Sequence, residues 1–247
     1  MKKFIVGDVH GYFNELKMIL SHWNPQEEIL IQVGDLIDRG KDSLKCIDYM
    51  MSLQKKFPEK VVVLLGNHEH MMLDYHYKRK YDNALSYENT WLCNGGVMTL
   101  NNYRDKHNKL LKHLVWMAAL PTTWEDDDVI VSHAGVVNRG NPANLFSDRS
   151  VLWNRGPTTR LEKLQIFGHT IVEEPCYCKT FNSLHIDTGI CAGNKLTGVK
   201  ISNKEDWKFI CVKSKLSKTA KEVNDVFLKN LELFYKTAKN TLNESTT

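Results

Sequence analysis

Five short segments of the sequence place metal-ligating side chains beside glycine. They read GDVHG (7–11), GDLIDRG (34–40), GNHE (66–69), SHAG (132–135) and FGHT (167–170). The segments offer carboxylate, imidazole and amide donors but no thiolate, and the donors are Asp8, His10, Asp35, Asn67, His133 and His169. Such a set suits manganese, iron or zinc in an open catalytic site, whereas a structural zinc prefers cysteine.

The number of donors indicates more than one metal ion. Six donors are too many for one tetrahedral ion, and they suit two ions that share a carboxylate. Two ions about 3.5 to 4 Å apart can hold both the attacking and the leaving oxygen of an in-line displacement at phosphorus. Each donor taken alone could be an ordinary hydrogen-bonded loop residue, but five such clusters in one chain favour a dinuclear site.

Each donor cluster follows a short apolar segment. The segments KKFIV, EILIQ, VVVLL, DDVIV and LQI each contain a short apolar stretch rich in Val, Ile and Leu, which is typical of strands buried on both faces. Between the first three, apolar residues recur at helical spacing, at Phe13, Leu16, Ile19 and Leu20 and at Leu44, Ile47, Met50 and Met51. Alternating strands and helices predict βαβ units around a parallel sheet. Because ligand sites of such sheets lie beyond the carboxyl ends of the strands, the five clusters are predicted to converge.

Length and charge narrow the function classes. The 247 residues suffice for one substantial core. The net charge of +4 arises in residues 200–247, which hold ten lysines and six acidic residues, so the chain carries no strong nucleic-acid signature.

No apolar run of about 18 residues occurs, and we expect a soluble, cytoplasmic protein with no membrane partner. The six cysteines lack a CxxC pair and are expected to be reduced and mostly buried. The sequence leaves the oligomeric state open.

In their order along the chain, the five motifs resemble the five blocks of the metallophosphoesterases. Asp38 and Arg39, within GDLIDRG, resemble the Ser/Thr protein phosphatase branch, and the greatest similarity is to phage and bacterial enzymes of the lambda type. The resemblance covers residues 3–190 and implies an α/β fold, a β-sandwich of two mixed sheets flanked by helices around a βαβαβ core.

The resemblance also implies how the donors divide between two metal ions, with manganese expected and iron or zinc as alternatives. The first ion would be held by Asp8, His10 and the bridging Asp35, and the second by Asp35, Asn67, His133 and His169. A hydroxide shared by the metals would attack phosphorus.

By the same resemblance, His68 is the general acid that protonates the departing alkoxide. Asp38 would accept a hydrogen bond from its other ring nitrogen and so fix its tautomer. Glu69 and His70 are expected to begin a helix, where an acid complements the helix dipole. Neither is predicted to be catalytic.

Two arginines are expected to bind phosphate, Arg39 and the Arg155 of WNRG. Arg149 and Arg160 are alternatives for the second role. The LHIDTG segment, with His185 and Asp187, is expected to support the site without direct chemistry.

The substrate is less well specified. Ser/Thr protein phosphatases often carry an arginine just before GNHE, where this chain has Leu65. We expect a phosphorylated protein or a small phosphoester as substrate; the alternatives are a dinucleoside polyphosphate, a nucleic-acid end or cyclic phosphodiester, and, remotely, a non-catalytic metal-bound scaffold. Residues 71–128 are expected to form helices packed as a cap beside the site, on the apolar spacing of Leu110, Leu111, Leu114, Val115 and Met117.

The last predicted elements follow the motifs. LTGVKI and WKFICV are expected to form a hairpin that closes the second sheet over the first. Residues 1–217 would form the catalytic domain, and residues 218–247 an amphipathic helix packed on it with a frayed end. The apolar face of that helix would comprise Val223, Val226, Phe227, Leu231, Phe234 and Ala238.

Overall fold

Two five-stranded sheets form the centre of the computed structural model, which describes residues 1–78, 90–137 and 151–215. The strands are β1 (Lys2–Val6), β2 (Glu28–Gln32), β3 (Val61–Val63), β4 (Thr123–Glu125), β5 (Val129–Ser132), β6 (Leu164–Phe167), β7 (Cys176–Cys178), β8 (Ser183–His185), β9 (Lys195–Asn203) and β10 (Asp206–Lys213). The helices are α1 (Phe13–Leu20), α2 (Ser43–Lys56), α3 (Asn67–Lys78), α4 (Val97–Asn102) and α5 (His107–Ala118), with short helical turns at Leu92–Gly96 and Ile190–Ala192. Both sheets are mixed, so the predicted fold class is confirmed.

The first sheet has the order β10-β9-β1-β2-β3, and β1, β2 and β3 pair in parallel. The three parallel strands are mainly apolar because each face of this part of the sheet meets a different core. Phe4 and Val6 face the helices, whereas Ile5 between them faces the second sheet. The second sheet has the order β4-β5-β6-β8-β7 and lines the same core with Val131 and Ile166. The sandwich thus places the carboxyl ends of β1, β2, β3, β5 and β6 at one edge.

The predicted hairpin exists, but its expected position is wrong. Strands β9 and β10 pair antiparallel, and β9 continues the first sheet by pairing with β1 instead of closing the second sheet. Gly198 lets β9 approach closely, since a Cβ there would lie 2.7 Å from the ring of Phe4. The hairpin therefore covers the edge of β1 opposite β2.

Helices α3, α4 and α5 occupy most of the described part of residues 71–128, as expected, but strand β4 (Thr123–Glu125) also lies in this range. Trp91 and Tyr75 belong to the core under these helices. Leu114 and Met117 of α5 are buried, but Leu111 and Val115 are 47% and 67% exposed, so their predicted packing is wrong. Helical spacing alone misassigned them because the buried stripe of this short helix is narrow.

The predictions for the cysteines, for membrane-spanning helices and for residues 218–247 have different outcomes. All six cysteines are free, but Cys93, Cys176 and Cys211 are exposed, so the expectation of mostly buried thiols is wrong. Within the described ranges, every helix is too short or too polar to cross a bilayer. The amphipathic helix predicted for residues 218–247 lies outside the described residues, and the domain boundary at 217 stays a prediction.

Candidate metal centre

The five motifs meet at the edge where the parallel strands end. GDVHG follows β1, GDLIDRG follows β2, and Asn67 begins α3 just after β3. Glycine is required at two of the approaches: a Cβ at Gly66 would collide with the Asp35 carboxylate, and one at Gly168 with the Asp8 carboxylate. The six donors predicted from the sequence are all buried there.

Three of the donors form one tight group. His133 Nδ1 donates to the carbonyl of Val33 at 3.0 Å, so its Nε2 carries a lone pair. That lone pair faces Asn67 Oδ1 at 2.9 Å and His169 Nδ1 at 3.1 Å, and the last two atoms are 3.0 Å apart. Three acceptor atoms converge on one point, an arrangement that a cation stabilises.

A second group lies beside the first and shares Asp35 with it. His10 Nδ1 donates to the carbonyl of Ile37 at 2.9 Å, which leaves Nε2 as a lone pair 3.6 Å from Asp35 Oδ2. The ligand atoms of His10, Asp35 and His68 lie within 4.8 Å of one another, and so do those of Asp35 with the two histidines of the first group. The residues therefore fit two cations with Asp35 between them.

Asp8 lies next to these groups without belonging to either. Its carboxylate accepts the backbone N–H of His169 at 3.1 Å. Burial, followed by the charges of Asp187 and Asp35, raises the pKa of Asp8. Asp187 supports the site from behind, where its Oδ1 accepts the N–H of Gly189 at 2.9 Å. The three carboxylates form a concentration of negative charge that divalent cations would neutralise.

Burial keeps the candidate imidazole donors neutral, the form that a metal requires, whereas it opposes ionisation of the shared carboxylate of Asp35. It lowers the pKa of His133 to about 4 and also lowers the pKa values of His10 and His169, so all three imidazoles are neutral near pH 7. It raises the pKa of Asp35 to about 7. Neutral imidazole is the form that binds a metal.

His68 forms a buried pair with Asp38. His68 Nδ1 donates to Asp38 Oδ2 at 2.6 Å, as the resemblance implied, which leaves Nε2 directed towards the metal donors. Asp38 also accepts hydrogen bonds from Trp91 Nε1 at 2.9 Å and Thr99 Oγ1 at 2.6 Å. Burial raises the pKa of Asp38 to about 7, while the bonds from Thr99 and Trp91 oppose that shift. Neither of these two partners was predicted from the sequence.

Arg39 lies within the site. Its Nη1 donates to His10 Nε2 at 3.0 Å and to Cys191 Sγ at 3.1 Å, and its Nη2 donates to His68 Nε2 at 3.1 Å. The guanidinium is thus adjacent to both the metal donors and the His68–Asp38 pair, a position from which a phosphate oxygen could be reached.

Arg155 is exposed at the tip of a turn. The amide of Asn154 closes that turn with two hydrogen bonds to the backbone of Gly156, at 2.8 and 3.1 Å. After burial and the charges of Arg39 and His133, the charge of Arg155 also lowers the pKa of His68, so the arginine lies within electrostatic range of the site. Arg160 instead donates to two carbonyls, of Lys179 and Thr180, away from the donors. Arg149 lies outside the described residues.

Glu69 has a larger role than its predicted place in the first helical turn. Its carboxylate accepts the backbone N–H groups of Asp35 (2.8 Å), Leu36 (2.8 Å), Ile37 (3.3 Å) and Gly66 (3.1 Å). Burial and the neighbouring charge of Asp35 raise the pKa of Glu69 to about 8. Four N–H groups fit the ionised form, which bound cations would favour. Glu69 therefore holds the loop that carries Asp35.

The backbone of the site adopts an unusual conformation. Of the described non-glycine residues, seven have positive φ, and five of these are His10 (47°), Asp35 (57°), Asp38 (72°), Arg39 (66°) and His169 (65°). Residues in this left-handed conformation persist only where the surrounding structure holds them, and they are found most often at functional sites.

Leu65 packs into the protein interior. It is buried in an apolar cluster with Ile130, Val136, Val151 and Leu152, and its N–H donates to the carbonyl of Pro121 at 2.8 Å. His185 packs against the ring of Phe167, with 4.4 Å between ring centroids.

A two-sheet α/β sandwich with a buried histidine–carboxylate metal centre is the architecture of a metal-dependent hydrolase. The chain belongs to the calcineurin-like phosphoesterase family, whose sequence model matches residues 1–173.

Its relatives include enzymes of two named activities. The chain is 39% identical over 220 residues to serine/threonine-protein phosphatase 1 of Salmonella typhimurium, covering 80% of this chain and 91% of that protein. It is 31% identical over 172 residues to a symmetrical bis(5'-nucleosyl)-tetraphosphatase of Hamiltonella defensa, covering 61% of this chain and 56% of that protein. A metallophosphoesterase structure from Sphaerobacter thermophilus has the same fold, with a TM-score of 0.54 and 15% identity over 87% of this chain and 90% of that one.

Proposed function

We propose that this protein removes phosphate from phosphoserine and phosphothreonine in proteins, with His68 as the general acid. The observation that carries the proposal is the His68–Asp38 pair, because the 2.6 Å hydrogen bond fixes the tautomer and directs Nε2 to the metal donors. The Salmonella phosphatase that shares 39% of aligned residues supports this substrate class.

We further propose two divalent ions, with manganese as the expected metal. When bound, they would supply a nucleophilic hydroxide near neutral pH and offset charge on the phosphoryl oxygens. The chain contributes neutral imidazoles, a shared carboxylate and an amide oxygen, supplied for the first ion by Asp8, His10 and Asp35 and for the second by Asp35, Asn67, His133 and His169.

The two arginines would bind the phosphoryl group. Arg39 lies between His10 and His68, and the charge of Arg155 reaches His68, whose pKa burial and this charge both lower. A phosphate dianion would neutralise the guanidinium charges beside His68, and together with Asp38 it would favour the protonated imidazole. Nε2 could then donate its proton to the departing alkoxide.

A dinucleoside polyphosphate is the second candidate substrate. The observation that favours it is Leu65, which packs in an apolar cluster and so contributes no phosphate contact of its own. The tetraphosphatase relative from Hamiltonella supports the same alternative.

The test compares kcat/KM of the manganese-loaded protein for a phosphothreonine peptide and for diadenosine tetraphosphate. We expect the peptide to be the better substrate and chelation to abolish both activities. A higher kcat/KM for diadenosine tetraphosphate would replace the proposed substrate class, and activity that survives complete metal removal would refute the metal-dependent mechanism. The cytoplasmic location stays a prediction.

A further inference from the structure

We infer that Trp91 and Thr99 are positioning residues for the general acid, acting through Asp38. Both belong to the clamp segment, defined here as residues 90–102, which lies between the third and fourth motifs. The inference rests on the proposed function and extends the working site to a part of the chain that holds none of the predicted site residues.

The clamp segment engages both oxygens of Asp38. Thr99 Oγ1 donates to Oδ1 at 2.6 Å, and Trp91 Nε1 donates to Oδ2 at 2.9 Å. The second oxygen also accepts the hydrogen bond from His68 Nδ1. The carboxylate is fully buried and held at both ends, so it cannot rotate away from His68 without breaking a bond to the clamp segment.

The same segment holds the backbone next to that carboxylate. Thr99 Oγ1 accepts the N–H of Asp38 at 2.9 Å, and the carbonyl of Gly95 accepts the N–H of Arg39 at 3.3 Å. Asp38 and Arg39 both have positive φ, which needs external support. A Cβ at Gly95 would lie 2.8 Å from the Arg39 side chain, so glycine permits this approach.

The clamp segment is itself firmly attached. Trp91 is completely buried, with its ring centroid 4.9 Å from that of Tyr75. Asn102 donates to the carbonyl of Lys41 at 3.0 Å and accepts the N–H of Leu44 at 3.3 Å. Neither Trp91 nor Thr99 contacts a metal donor, so their effect on catalysis must pass through Asp38.

The experiment measures leaving-group dependence in manganese-loaded Thr99→Val and Trp91→Phe proteins. Thr99→Val removes a hydroxyl at nearly constant volume, and Trp91→Phe removes the N–H donor. We expect kcat for an alkyl phosphate, whose leaving group needs a proton, to fall about tenfold or more, a part of the roughly 10²–10⁴ that general acid catalysis supplies in full. For 2,4-dinitrophenyl phosphate, whose leaving group needs no proton, kcat should change less than about twofold. Thr99→Ser should restore the alkyl phosphate rate.

The matched control is Thr197→Val, which removes a buried hydroxyl that contacts Thr188 at 2.7 Å in the first sheet. Equal losses with both esters, an unchanged alkyl phosphate rate, or the same ester-selective loss in Thr197→Val would each refute the positioning role. If the wild-type protein with manganese hydrolyses neither ester, the proposed function itself is wrong.

Discussion

Replacement of Glu69 by glutamine should loosen the loop that carries Asp35 at almost constant side-chain volume. Each carboxylate oxygen accepts two backbone N–H groups: Oε1 those of Leu36 and Ile37, and Oε2 those of Asp35 and Gly66. Glutamine keeps one oxygen and sets an NH₂ group against the other two N–H groups. One pair of hydrogen bonds is therefore lost and replaced by donors that face each other.

The expected cost follows from those two bonds. A hydrogen bond to a charged acceptor contributes about 1.5–3 kcal/mol, so losing two should lower the free energy of unfolding by about 3–6 kcal/mol. That is a large part of the roughly 5–15 kcal/mol that stabilises a typical native protein. At about 2–4 °C per kcal/mol for chains of this size, the melting temperature should fall by about 6–24 °C.

The assay is thermal unfolding with saturating manganese, combined with calorimetric titration of metal into the folded protein. We expect Glu69→Gln to lower both the melting temperature and the metal affinity. Glu28→Gln is the matched control, since Glu28 is also buried and accepts hydrogen bonds from the N–H of Asn24 and the Lys200 ammonium group. It lies at the amino end of β2, the end opposite to the site. The Glu28→Gln protein should lose stability but keep wild-type metal affinity. Wild-type metal affinity in Glu69→Gln would refute the reasoning.

Three further predictions concern the chemistry. His68→Asn should lower kcat for alkyl phosphates by about 10²–10⁴ with unchanged metal content by elemental analysis; loss of metal would make His68 a ligand. Arg155→Ala should raise KM for a phosphopeptide by about tenfold or more, because a charge-assisted hydrogen bond is lost; an unchanged KM would show that Arg155 does not bind phosphate. With the metal removed by a chelator, the melting temperature should fall as the pH rises from about 6.5 to 8. In the folded protein Asp35, Asp38 and Glu69 have pKa values of about 7, 7 and 8, so they lose their protons over this range. In the unfolded chain the same groups have already lost their protons near pH 4. A rise over that range would contradict the raised pKa values, and manganese should remove the fall.

Sequence pattern predicted the sheet core well, since strands buried on both faces must be apolar throughout. β1 and β2 are such strands, and their ends place Asp8 and Asp35 at one edge. The partner of β9 could not be predicted in this way. Alternation of apolar residues shows which face of β9 is buried, but it does not show which neighbouring strand β9 pairs with. The edge of β1 and an edge of the second sheet were equally possible.

The convergence of the candidate metal donors was predictable because its signal is local: each donor lies within two residues of a glycine after a strand. The supporting residues were not. Thr99 contacts Asp38 from 61 residues away in the chain, and Glu69 contacts the loop of Asp35 from 34 residues away. A threonine in a short helix and a glutamate in a first helical turn are ordinary in any sequence, so only the folded chain distinguishes them.

The five left-handed residues have a consequence for how this protein could be stabilised. For most side chains that conformation costs about 1–2 kcal/mol each relative to glycine, although Asp and His tolerate it better. Together, His10, Asp35, Asp38, Arg39 and His169 therefore store strain that counts against the roughly 5–15 kcal/mol by which a typical native protein is stable. Glycine at any of them would relieve strain while removing a proposed ligand, a phosphate contact or the partner of the general acid. Selection for stability alone would act against activity at these five positions.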